Sequence, residues 1–219
     1  LNLMNPSVVI VGMPGLRWTD VTPEATPHLW EMLDRSSIGQ MSTRSARSRT
    51  CPADGWVQIG TGNRARYPIP DDPVEGSCQP LPPMTSSGGD GARVERWDAV
   101  VAENADLAFD AVPGLLGQTL SDELGSDAGC TAASGPGSGL GAADREGWVD
   151  QWTPDPISLT RQAVRTCPLL VVGMPPPSAE RRLGELAGVD GVVGAVDAMR
   201  APGSLMLVLG VSDLADERA

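Results

Sequence analysis

Apolar residues along the chain fall alternately into short unbroken runs and into runs of helical spacing. Residues 7–11 (SVVIV) are apolar and β-branched, and they end in Gly12, the pattern of a strand buried on both faces. Thr26 then reads as an N-cap with Pro27 at the first helical position, and Leu29, Met32 and Leu33 follow at helical spacing. A strand feeding a helix is a βα unit. Residues 38–42 predict a second strand, and residues 53–59 predict a short helix whose N-terminus lies near Thr50, Cys51 and Pro52. Helical character resumes over 94–104 and 115–124, the latter stopped by Gly125. Residues 130–133, 148–152, 169–172 and 205–209 predict strands. The last two are rich in Val and Leu with little alternation, as central parallel strands are, and 179–199 supplies the crossover helix between them. The pattern predicts an α/β architecture with a mostly parallel sheet, in one domain over 1–219, without internal repeats.

Two stretches break this pattern. Residues 62–91 shift to Pro, Gly, Ser and Asp with no supporting periodicity, which predicts a long surface excursion pinned by Cys78. Residues 135–141 (GPGSGLG) follow a predicted strand, but their glycines alternate at every second position. The GxGxxG spacing of a dinucleotide site is absent, so a flexible or tightly turned loop is expected. No Lys exists to complete a phosphate-loop motif.

Composition narrows the chemistry. A chain of 219 residues can bury a substantial core, and its six Trp beside one Phe and one Tyr leave much of that core to aliphatic residues. Acids number 28 against 16 basic residues, all Arg, for a net charge of −12, which argues against a general binder of nucleic acid or anionic membranes. His28 is the sole histidine, so a mechanism needing two imidazoles within this chain is excluded. The cysteines 51, 78, 130 and 167 lack CxxC spacing and suit two disulfides. Of the three pairings, Cys51 with Cys78 and Cys130 with Cys167 each closes a contiguous loop. That reading implies folding in an oxidising, extracytoplasmic compartment, the alternative being buried free thiols. No run approaches the roughly 18 apolar residues of a membrane span. The start at Leu1, without an initiator Met, reads as a processed or excised piece.

Charge is unevenly placed. Between Arg35 and Arg66 lie six arginines (35, 44, 47, 49, 64 and 66) and one acid, Asp54, a local net of +5 that leaves −17 elsewhere. Arginine forks suit phosphate, sulfate and carboxylate, so Arg44, Arg47, Arg49 and Arg64 are candidate anion-binding residues; solvated arginines paired with acidic neighbours are the alternative. Within the stretch, Thr50 stands at a predicted helix start, where unpaired N–H groups favour an anion and ease alkoxide formation. The commoner use of such a Thr is as an N-cap. Cys51 shares the environment and is either an activated thiolate or half of a disulfide.

The order of the first strand, Gly15-Leu16-Arg17, Thr26-Pro27-His28-Leu29, Thr50-Cys51-Pro52 and Gly60-Thr61-Gly62 resembles the amino-terminal half of the alkaline phosphatase superfamily, especially its nucleotide pyrophosphatase/phosphodiesterase branch. Residues 205–210 followed by Val211-Ser212-Asp213 are similar to the strand leading into that superfamily's Ser-Asp-His metal motif. The resemblance is nearest to extracytoplasmic domains of actinobacterial membrane-anchored proteins. It implies a three-layer α/β/α sandwich, with Thr50 at the nucleophile position and Asp213 at a metal-ligand position. Pro14, however, stands where the first metal-binding Asp would be, Leu214 replaces the His after Asp213, and Gly173-Met174-Pro175-Pro176-Pro177 replaces the middle metal motif. Asp20 substitutes only if its loop is remodelled. Relatives also continue beyond the position of Ala219 with another ligand-bearing segment.

The expectation is therefore a catalytically degenerate domain without a cofactor, binding an anionic small molecule or cell-envelope component near Thr50. The alternative is an active phosphate- or sulfate-ester hydrolase with Thr50 as nucleophile and zinc or manganese held by Asp213 and Asp20. A third possibility is an assembly domain with no ligand.

Overall fold

An apolar strand without polar alternation needs cover on both faces, and β1 (Val8–Met13) has it. Val9, Val11 and Met13 join one core, while Val8 and Ile10 join the other. In a computed structural model of the chain, the residues described are 7–69, 77–86, 88–125, 128–178 and 180–213. After β1 come α1 (Pro27–Leu33), α2 (Pro52–Thr61), β2 (Met84–Thr85), β3 (Ala92–Val94), α3 (Trp97–Ala105), α4 (Leu115–Leu124), β4 (Thr131–Ser134) and α5 (Ser138–Ala142). They are followed by β5 (Trp148–Val149), β6 (Gln151–Thr153), α6 (Arg161–Thr166), β7 (Leu169–Gly173), α7 (Arg182–Met199) and β8 (Leu205–Gly210).

Five strands form an all-parallel sheet in the order β6-β4-β7-β1-β8, with Ile10 of β1 beside Val171 on one side and Leu207 on the other. A small antiparallel sheet, β2-β3-β5, lies apart from it. One face of the main sheet carries α1, α6 and α7 through Leu29, Val164, Leu186 and Val193; the other carries α2, α3 and α5 through Trp56, Trp97 and Leu140. The expected α/β architecture is thus present, with helices on both faces. β7 and β8 flank β1, and α7 makes the crossover between them.

Five expectations need correction. Residues 38–42 form no regular element, and Ile38 and Met41 are exposed, because a groove separates this segment from β8 and leaves it no strand to pair with. Residues 148–152 split at Asp150 between the two sheets, and the helix expected from 94 starts only at Trp97, since Ala92–Val94 pairs in the small sheet. Residues 135–141 turn tightly, as expected, but continue into α5. Gly137 takes φ of 77° and sits against the Trp56 indole, so both its backbone and the space around it exclude a side chain. Finally, the 62–91 excursion is not wholly superficial. Ala65, Tyr67 and Cys78 are buried and β2 lies within it, while residues 70–76 and 87 fall outside the described set.

Candidate functional site

Ligands of parallel α/β sheets bind at the carboxyl ends of the strands. Here that edge is formed by Met13-Pro14-Gly15 after β1, Met174-Pro175 after β7 and Val211-Ser212-Asp213 after β8, with the N-terminus of α2 laid against it. α2 comes this close because Gly55 abuts the Val211 carbonyl and Gly12 abuts the Trp56 ring. Thr50, at the entrance to α2, is therefore held beside the strand that leads to Asp213.

The Thr50 hydroxyl does not face an open cleft. Thr50 is 1% exposed and its Oγ1 accepts the Ser45 N–H at 2.9 Å. Ser45 in turn accepts the Arg47 N–H at 3.2 Å and donates to the Arg49 carbonyl at 3.4 Å, so residues 45–50 close on themselves. The first turn of α2 is filled from within: the Asp54 carboxylate accepts the N–H groups of Cys51 (3.2 Å) and Tyr67 (2.7 Å) and the Arg47 Nε (3.4 Å). Burial pushes the Asp54 carboxyl above the ordinary 3.8, against the opposing pull of Tyr67, Arg47 and Cys51. Cys51 is bonded to Cys78 with an S–S distance of 2.07 Å, so the thiolate reading fails. Cys130 and Cys167 form the second disulfide, at 2.12 Å, giving both pairings that loop closure favours.

The basic stretch is dispersed rather than pooled. Arg47 turns inward to Asp54, the Tyr67 carbonyl and Glu103; Arg66 also lies against Glu103, at 2.6 Å; Arg35 pairs with Asp197 at 2.7 Å, beside the end of α7. Arg64 stacks over Phe109, 5.4 Å from the ring centroid. Arg44 and Arg49 are exposed and have no acidic partner among the described residues. Arg44 directly precedes the closed 45–50 loop and Arg49 lies within it, next to Thr50.

The candidate metal ligands are already engaged. Asp20 is buried, and its two oxygens accept Arg182 Nε at 2.9 Å, Arg182 Nη2 and the Arg17 N–H at 2.8 Å; the same Nη2 also donates to the Gly15 carbonyl. A guanidinium thus neutralises the carboxylate from both sides. Asp213 is exposed and accepts the Thr43 hydroxyl at 2.6 Å. His28 donates through Nδ1 to the buried Asp190 at 2.8 Å, and Asp190 also accepts the N–H groups of His28 and Leu29. That carboxylate, rather than the expected Thr26 side chain, caps α1; the Thr26 hydroxyl donates instead to the Asp20 carbonyl. Among the described residues, no three His, Cys, Asp or Glu side chains converge on one point.

Sequence reasoning counted Asp54 only as a charge, although an acid three residues into a helix is a capping pattern. Arg182, Asp190 and Glu103 carried no local signal. The fold and the site define an α/β protein with an arginine-bearing, disulfide-pinned loop at the carboxyl edge of a parallel sheet. No protein-family model, no curated protein and no solved structure matches the chain.

Proposed function

We propose that the protein is a catalytically degenerate, alkaline-phosphatase-like domain that works outside the cytoplasm and binds an anionic ligand of the cell envelope through Arg44 and Arg49. The observation that carries this reading is the contrast between these two exposed, unpaired arginines and the buried Thr50 that follows Arg49 directly, whose oxygen already holds the Ser45 N–H. A nucleophile needs access and a base or metal; an anion needs only guanidinium groups within reach. Among the described residues the candidate metal donors are engaged elsewhere, which supports the reading without a two-metal centre. Asp20 is saturated by Arg182, His28 is tied to Asp190, and Pro14 and the Pro175–Pro177 run offer no ligand side chains. Two disulfides accord with an oxidising compartment, and among the described residues no helix is long and apolar enough to cross a membrane.

Titration calorimetry with inorganic phosphate and sulfate tests the reading. Binding should weaken by about tenfold or more in Arg44→Ala/Arg49→Ala, the value of one or two charge-assisted hydrogen bonds. Neither anion binding to the parent protein would sink it. So would zinc- or manganese-dependent turnover of an aryl phosphate that disappears in Thr50→Ala and persists in Thr50→Ser.

A further inference from the structure

β8 is an edge strand, paired with β1 on one side only. Leu205 donates to Ser7 and Val211 donates to Met13, so the parallel ladder engages alternate residues of β8 and turns the N–H and C=O groups of Met206, Val208 and Gly210 outward. None of these outward groups has a partner among the described residues. Backbone polar groups are obligatory hydrogen-bonding groups, and a row of them is a template for another strand.

A second unpaired chain faces them. The segment after α1 is anchored at one end by Arg35 on Asp197, near the foot of β8, and at the other by Thr43 on Asp213, just past its top. It therefore runs the length of β8, and the backbone of residues 37–42 makes no hydrogen bond to any described residue. Between the two walls lies a groove of about 800 Å³, lined by Leu16, Met32, Ile38, Met41, Met206 and Val208 among others. A strand advances about 3.3 Å per residue, occupies about 4.8 Å of sheet width and about 10 Å of thickness, roughly 160 Å³ per residue. The groove thus holds about five residues of extended chain, close to the length of β8. Among the described residues its only charged lining residues are Arg17 and Asp213, which sum to zero in a protein of net charge −12.

We propose that this groove receives an extended, uncharged, apolar-rich segment of a partner protein, which adds to β8 as a sixth strand of the main sheet. An acyl chain of similar volume would leave the outward N–H and C=O groups dry and unpaired, whereas a peptide backbone satisfies them. A second copy of this chain is disfavoured because each β8 lies behind its own 37–42 segment, which blocks edge-to-edge approach. The proposal needs nothing from the anion reading, since Arg44 and Arg49 lie outside the groove lining.

The probe is an acetylated, amidated hexapeptide alternating valine and threonine, followed by fluorescence anisotropy and by amide hydrogen exchange. Exchange at Met206, Val208 and Gly210 should be fast in the free protein and slow by tenfold or more on binding. Val208→Pro removes an outward donor that makes no ladder bond, a place where an edge strand tolerates proline, so thermal stability should hold while peptide affinity falls at least tenfold. Ile38→Asp, on the opposite wall, should weaken binding without touching β8. The proposal is overturned if the peptide does not bind, if the three amides are already protected in the free monomer, or if Val208→Pro binds as well as the parent. Sedimentation showing a dimer that Val208→Pro dissociates would assign the edge to a second copy, and palmitate displacing the peptide without protecting the three amides would assign the groove to a lipid; either result overturns it.

Discussion

Asp54 and Asp197 show how the same side chain is pushed in opposite directions by its surroundings. Asp197 is desolvated to a degree, but hydrogen bonds from Arg35 and Arg200 outweigh that and hold its carboxyl below the ordinary 3.8. Asp54 is fully buried and desolvation prevails, so its carboxyl lies above 3.8. The consequences for stability have opposite signs. For Asp197 the unfolded chain binds the proton more readily, so its contribution is present above 3.8 and is lost as pH falls through the lower folded value. For Asp54 the folded chain binds the proton more readily, so its contribution is full below 3.8 and declines as pH rises through the higher folded value. Urea midpoints measured from pH 3 to 7 should therefore lose part of their acid-side fall in Asp197→Asn. In Asp54→Asn one carboxylate oxygen is replaced by an NH2 group that cannot accept, so an N–H of Cys51 or Tyr67 loses its partner and the protein should be destabilised by about 1–3 kcal/mol, and the decline on raising pH should be absent. Parallel pH profiles for the two variants would contradict the assignment.

Elements were legible wherever one local cause decided them. Residues 115–124 fall on α4, Gly125 ends it, and the Val/Leu runs are β7 and β8. The failures share a different cause. Residues 38–42 have strand-like composition, but a strand exists only if a neighbour accepts its ladder, and that neighbour is a groove away. The cap of α1 was misassigned because Asp190 lies 162 positions from His28, and the Asp20–Arg182 pair, which ties up a candidate metal ligand, has the same separation. Thr50 was legible as a special position and its environment was not, since the Ser45–Thr50 bond depends on the closed loop. The contact that sets α2 on the sheet edge is likewise tertiary. Gly55 lies where any Cβ would enter the Val211 carbonyl, a backbone atom with no rotamer to yield. Gly55→Ala should therefore destabilise by about 3 kcal/mol or more, as overpacking against rigid backbone does. It should also disturb Thr50 and the 45–50 loop, read as shifted amide resonances of Ser45 and Arg49; a stability change below about 0.5 kcal/mol would show that α2 does not rest on the sheet in this way.

For the molecule as a whole, the two disulfides staple opposite ends of the sheet. Cys130 and Cys167 lie just before β4 and β7, at the amino ends of those strands, while Cys51–Cys78 lies at the carboxyl edge and ties the Pro-rich excursion to the start of α2. Their sequence separations are 27 and 37, so chain-entropy reasoning gives each about 3.5–4 kcal/mol, nearly equal and large beside the 5–15 kcal/mol of a typical domain. Their functional weights should differ. Cys130→Ser/Cys167→Ser should lower the urea midpoint yet leave phosphate or sulfate affinity unchanged, because that bridge touches nothing near Arg44 or Arg49. Cys51→Ser/Cys78→Ser should lower stability by a similar amount and also weaken anion binding, since Thr50 and the arginine-bearing loop precede Cys51 directly and lose their anchor. Equal losses of affinity in both pairs would mean that anion binding reports only on global folding, and loss in the Cys130 pair alone would place the anion at the other end of the sheet.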